Sequence, residues 1–110
     1  MDQAIVVLTN LPDEDSAGAL ARRLVEQRLA ACVNILPGVQ SIYRWQGQLE
    51  EARETSLSIK TTASRYPELE AAIRAHHPYD VPEIVALPVT HGWQPYLEWI
   101  AGETDQVWNA

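Results

Sequence analysis

The chain has 110 residues, 46% of them hydrophobic, which suits one compact domain over residues 1–110 and excludes two. Eight Lys and Arg against 15 Asp and Glu leave a net charge of −7, and that balance sets the protein against the phosphate backbone of a nucleic acid. A single cysteine, Cys32, excludes an internal disulfide and a CxxC metal clip, so packing must hold the fold, and a reducing, cytoplasmic setting is expected.

The first element, Ala4-Ile5-Val6-Val7-Leu8, is apolar without alternation and predicts a strand buried on both faces. It is far shorter than the ~18 residues of a membrane span, and no basic, signal-like segment precedes it, so neither a leader nor a membrane partner is expected. Asn10-Leu11-Pro12-Asp13 is turn chemistry. Asp13, Glu14 and Asp15 place negative charge at the positive end of a helix that starts near Asp13. Ala17, Leu20, Ala21, Leu24, Val25 and Leu29 fall on one face of it, opposite Arg22, Arg23, Glu26 and Gln27.

Ala30 to Leu36 predicts a second strand, ended by Pro37-Gly38 and parallel to the first through a right-handed crossover. From Val39 to Thr62 the period becomes two. Ser41, Tyr43 and Trp45 share one face, Thr55, Leu57, Ile59 and Thr61 share another, and Gln46-Gly47-Gln48 supplies the turn of a hairpin. Its second arm, from Leu49 to Thr62, exceeds the usual strand of about 5–6 residues, so the hairpin should reach beyond its own domain. A second helix is signalled by Ser64 as cap and Pro67 in the first turn, with Leu69, Ala72, Ile73 and His76 on its inner stripe and Pro78 as its stop. A last strand runs from Glu83 to about Leu87. A terminal helix opens at Pro95 and ends near Gly102, and the tail through Trp108 is expected to be held by the fold.

The order β-α-β-β-α-β with a C-terminal helix predicts an α+β, ferredoxin-like sandwich, two helices on one face of a four-stranded antiparallel sheet. That fold hosts unrelated functions, so chemistry must come from particular residues. The densest cluster is His76-His77-Pro78-Tyr79-Asp80-Val81-Pro82-Glu83. Adjacent helical histidines point about 100° apart and chelate poorly, yet Pro78 pushes His77 toward an extended backbone, from which the two rings could converge. The alternative has His76 closing the apolar stripe and His77 solvated at the helix C-terminus.

Other positions are equally two-sided. Trp45, with Tyr43 and Arg44, is an aromatic platform or ordinary hairpin packing. Lys60 is an anion holder or a snorkelling surface lysine. Glu50, Glu51 and Glu54 attract a cation or simply solvate a hairpin edge. Cys32, mid-strand, reads as a core thiol rather than a reactive one. The sequence carries no GxGxxG or GxxxxGK[ST] loop, no GxSxG elbow, no HExxH and no aromatic RNP strand.

Ala30-Ala31-Cys32-Val33-Asn34-Ile35 with Pro37-Gly38, Ser41-Ile42-Tyr43-Arg44-Trp45-Gln46-Gly47, Ile59-Lys60-Thr61, His76 to Ile84 and Tyr96-Leu97 with Trp99-Ile100 together resemble the CutA divalent-cation-tolerance family, with spacing intact from Ile5 to Ile100. The resemblance implies a non-catalytic homotrimer similar to the PII signalling proteins, with long hairpins pairing across subunits. It implies divalent-metal binding, copper in the first instance, with His76 and His77 as the matching metal residues, and it makes Trp45, Lys60, His76, Tyr79 and Glu83 candidates to line clefts between subunits. Certain metal-binding members carry a thiol at the end of the first strand, where this chain has Thr9, a poorer ligand for soft copper. The alternative within the same resemblance is a PII-like sensor that holds a small anionic metabolite in the inter-subunit cleft through Lys60. An enzyme would instead need His76 and Glu83 adjacent in a closed pocket.

Overall fold

The computed structural model describes residues 2–105. Strand β1 (Ala4–Leu11) is central, antiparallel to β3 (Gln48–Thr62) on one side and to β4 (Val85–Pro88) on the other; β2 (Cys32–Trp45) pairs outside β3, giving the sheet order β2-β3-β1-β4. Because β3 runs antiparallel to both, β1 and β2 point the same way, as expected, although they are not neighbours. This is the ferredoxin-like arrangement. Helices α1 (Glu14–Glu26) and α2 (Tyr66–His76) cover one face, where Val7, Leu11, Leu24, Leu57, Ile59, Leu69 and Ile73 form the core.

Strand β1 is not buried equally on its two faces. Ile5, Val7, Thr9 and Leu11 are enclosed under the helices, while Val6, Leu8 and Asn10 on the other face are half-buried. Helix α3 (Gln94–Glu103) covers one end of that second face: Ile100 packs with Ala4 and Ala31, and the Thr104 hydroxyl meets that of Thr62. Beyond α3, Val85 and Leu87 of β4 stay 46% and 50% exposed beside Leu8 and Val6, and Leu36 is exposed across the sheet.

Local chemistry explains the element ends. Asp13 caps α1, its Oδ1 accepting the Ser16 N–H at 2.7 Å, and that backbone hydrogen bond holds its carboxyl below the ordinary value. Val25, expected on the inner face, is 42% exposed, because α1 ends one residue later; Arg28 takes a left-handed backbone at φ 58° and turns the chain so that Leu29 re-enters the core. Ser64 does not cap α2. It lies in a short 3₁₀ turn (Ala63–Arg65) and bonds Asp2 instead, while Arg65 stands at the cap position with its side chain making no capping bond. Strand β4 starts two residues later than expected, at Val85. The expectation for Trp108 lies outside the described residues.

Pro37-Gly38 does not end β2. The pairing register shifts between Leu36 and Val39, with Gly38 at φ +72°, so the dipeptide is a bulge within a strand of 14 residues. Gln46 and Gly47, at φ 51° and 80°, make the tight hairpin turn. Strand β1 pairs only with Thr55 to Thr62, so the outer half of the hairpin, 39–54, is a two-stranded ribbon that leaves the sheet. The bulge also changes which residues of β2 share a face. Leu36 sits opposite Ser56, but after the extra residue Val39 sits opposite Glu54, which sets Ser41, Tyr43 and Trp45 on the Glu54 side.

Leu57→Ala should lower the unfolding free energy by about 2–5 kcal/mol, whereas Val25→Ala should stay within about 0.5 kcal/mol. Denaturant titration of the two variants beside the parent checks the division between core and surface.

Candidate ligand-binding cleft

The bulged ribbon and the segment from His77 to Glu83 face each other across a cleft of about 600 Å³, lined by Asn10, Tyr43, Trp45, Glu54, Tyr79, Asp80 and Glu83 among others. Pro78 accounts for one wall. It forces His77 out of the helix to an extended conformation (φ −92°, ψ 135°), and the ring, 9% exposed, turns toward the end of β1. His77 Nε2 donates to the Asn10 carbonyl at 2.7 Å, and Nδ1 accepts the Tyr79 backbone N–H at 3.2 Å. A carbonyl can only accept, so the bonding pattern assigns the Nε2–H tautomer. The rings of His77 and Tyr79 lie 4.8 Å apart.

From that anchor a chain of bonds runs across the floor. The Tyr79 hydroxyl donates to Glu54 Oε2 at 2.9 Å, the Asn10 side-chain amide donates to Glu83 Oε1 at 3.1 Å, and the Ser56 hydroxyl donates to the Asn10 side-chain oxygen. Burial, the hydrogen bond to Glu54 and the Glu54 charge push the Tyr79 phenol up to about 12. The wall is thus aromatic and the floor acidic, and among the described residues the cleft lining contains no Lys or Arg.

Of the residues expected to line clefts between subunits, Trp45, Tyr79 and Glu83 lie together within the single chain, while Lys60 and His76 are outside this lining. Lys60 lies along β3 from the ribbon and donates to the Asn34 side-chain oxygen. His76 is exposed at the end of α2 rather than on its inner stripe, and His77 is the enclosed one, the reverse of the solvated arrangement considered from sequence. Within one protomer the two rings do not form a chelate: both nitrogens of His77 are committed to backbone groups, and no set of three His, Cys, Asp or Glu side chains able to hold a metal ion occurs among the described residues. Thr9 is fully enclosed on the helix-covered face, and its hydroxyl lacks a partner, so it faces away from any ion arriving from solvent.

Glu54 departs from its companions. Glu50 and Glu51 are exposed on the ribbon as a solvated edge, but Glu54 is only 6% exposed, and no pattern of charge along the chain marks it as different. The alternation of β3 does: Glu54 has the parity of Ser56 and Ser58, on the face opposite Thr55 and Leu57. Asn10, read from sequence as a turn residue, is the junction of the network. Cys32 is half-buried rather than a core thiol, beside the phenol of Tyr96, which burial and this neighbour push upward.

Residues 5–103 match the family described as CutA1 divalent ion tolerance protein. This chain belongs to that family. Among CutA relatives, the divalent-cation tolerance protein CutA of Thermus thermophilus is 52% identical over 99 residues, covering 90% of this chain and 96% of that one. The solved Thermus thermophilus divalent cation tolerance protein superposes with a TM-score of 0.91 at 51% identity, over 93% of this chain and 99% of that one. CutA1 from Oryza sativa superposes with a TM-score of 0.92 at 40% identity, over 96% of each chain. The CutA fold is therefore shared along nearly the full length.

His77→Ala should cost about 1–3 kcal/mol, because it strips a part-buried carbonyl and a part-buried N–H of their partner, while His76→Ala should change stability by less than about 0.5 kcal/mol; equilibrium unfolding separates them. The Tyr79 phenol holds its proton more tightly in the folded chain than the ordinary tyrosine value of about 10. Its contribution to stability is therefore intact below pH ~10 and is lost as pH rises toward about 12. Alkaline absorbance titration should show late-ionising phenols, since Tyr66 and Tyr96 are also pushed upward, with one of them missing in Tyr79→Phe, and that variant should lose less stability over the same pH interval.

Proposed function

We propose that this chain serves divalent-cation tolerance as a non-catalytic, cytoplasmic homotrimer that binds a divalent ion, copper foremost, with donors drawn from more than one copy. The observation that carries this is the uncovered second face of the sheet. Val85 and Leu87 are exposed beside half-buried Val6 and Leu8, Leu36 is exposed across the sheet, and Ile42 and Leu49 are exposed on the ribbon, apolar side chains of the kind that identical copies bury between them. Strand β2 is a 14-residue edge with backbone groups on its outer side, which a second copy can satisfy. Closed rotational symmetry lets identical copies bury such a face in a finite assembly.

The metal proposal rests on His76. Its ring is exposed at the end of α2 and makes no hydrogen bond with another described residue, so it is the available imidazole, while His77 positions the neighbouring segment. One imidazole is too few for a strong site, and further ligands must come from another copy. A small anionic metabolite is less well served: Lys60 stands outside the cleft, and the lining carries carboxylates. Glu83 Oε1 accepts from Asn10, and His76 makes no hydrogen bond with Glu83 among the described residues.

Light scattering at micromolar concentration should give three times the chain mass, reduced by Val85→Lys with Leu87→Lys; a monomeric parent would refute the trimer. Calorimetric titration with Cu(II) should show saturable binding that His76→Ala abolishes. Indifference to that substitution would remove His76 from the site.

A further inference from the structure

We infer that the cleft over Glu54 is a binding site for a small aliphatic amine, held as its ammonium by Glu54 and sheltered by the rings of Tyr43, Trp45 and Tyr79. The starting point is a buried carboxyl with no cationic partner among the described residues. Glu54 lines the cleft but is 94% enclosed; one of its oxygens accepts the Tyr79 hydroxyl, and the other has no hydrogen-bond donor among the described residues. The ion pairs among the described residues lie elsewhere, Arg28 with Glu103 and Arg65 with Glu68. A carboxylate withdrawn from water is stable when a cation and hydrogen-bond donors meet it, and a neutral phenol supplies only one of these.

The chemistry of the walls selects the kind of cation. Three aromatic rings line the space, and ring faces attract an ammonium group and pack against methylenes. The described residues include no three-donor set that could hold a bare metal ion, and about 600 Å³ is the volume of a small-molecule site. The free oxygen of Glu54 can accept a hydrogen bond, and a primary ammonium brings both the donor and the positive charge, whereas a quaternary one lacks the donor. Asp80 and Glu83 at the same cleft offer carboxylates to a second ammonium on the same stem, and the chain's net charge of −7 draws cations toward it. Glu54, Tyr43, Trp45 and Tyr79 converge only because the Pro37-Gly38 bulge turns the outer part of β2 to the Glu54 side and His77 holds Tyr79 opposite.

The site is independent of the metal proposal, since neither His76 nor a metal ion takes part. The test is calorimetric titration of the intact, assembled protein with 1,4-diaminobutane, beside butan-1-ol and tetramethylammonium as probes of the same stem or charge without N–H donors on nitrogen. Saturable binding of the diamine, with little heat from the other two, is expected. Glu54→Gln keeps an acceptor for Tyr79 but removes the charge, and should weaken diamine binding by about tenfold or more. Trp45→Leu should weaken it by several-fold. No diamine binding at millimolar concentration overturns the proposal, as does binding that Glu54→Gln leaves unchanged, which would mark nonspecific surface attraction. Loss of the assembled mass in Glu54→Gln together with no diamine binding to the parent would show that a cationic side chain of a second copy already occupies the cleft, and would overturn it too.

Discussion

The hydrogen bond from the His77 ring to the Asn10 carbonyl is the joint on which the cleft depends. Asn10 is next to last in the central strand, where the sheet can no longer offer its carbonyl a partner on the β4 side, because β4 pairs only as far as Leu8. The ring fills that gap and simultaneously accepts the Tyr79 N–H, so one side chain satisfies two backbone groups on elements far apart in sequence. Buried backbone groups left unpaired are costly, and this double use fixes the 77–83 segment against β1 without any regular structure of its own. With that segment fixed, Tyr79 reaches Glu54 and Glu83 reaches Asn10. A histidine in this position is a structural brace for the acidic floor beside it.

The second constraint is the asymmetry of the sheet. Two helices close one face, but α3 covers only an end of the other, and the hairpin continues past the last residue of β1 that could pair with it. The same apolar character that stabilises the core under α1 and α2 is therefore left on the open side at Val85, Leu87 and Leu36. The bulge at Pro37-Gly38 resolves a geometric conflict in this design. Without it, the residues beyond Leu36 would keep the parity of the inner strand, and Tyr43 and Trp45 would turn away from Glu54. Fold and cleft thus share one local device.

Much of the fold was legible because its signals are local. The Asp13 cap, the helical spacing of Leu20 and Leu24, the two-residue period of Leu57 and Ile59, and the turn at Gln46-Gly47 each depend on residues within a few positions of one another. Trp45, Tyr79 and Glu83 lie together at the cleft of the single chain, whereas the family resemblance set them in clefts between subunits, which is a matter of the assembly. Three features were misplaced for a common reason. The bulge has the same dipeptide as a strand end, Ser64 has the same chemistry as a cap, and the two histidines are adjacent and alike. Which alternative holds in each case is set by partners elsewhere: Arg53 and Glu54 across the ribbon, Asp2 beside Ser64, and Asn10 beside His77.

By itself the sequence determined the class of molecule: a small acidic α+β domain, its strand and helix order, its overlong hairpin and its family, because composition, periodicity and ordered motifs do not require knowledge of distance. Only the tertiary structure decided that His77 is enclosed while His76 is exposed, that Lys60 stands apart from the cleft, and that Glu54 is withdrawn from water as Glu50 and Glu51 are not. These distinctions separate residues of the same type, one or a few positions apart. What divides them is whether the backbone turns the side chain toward another element or toward solvent, and that is a property of long-range packing.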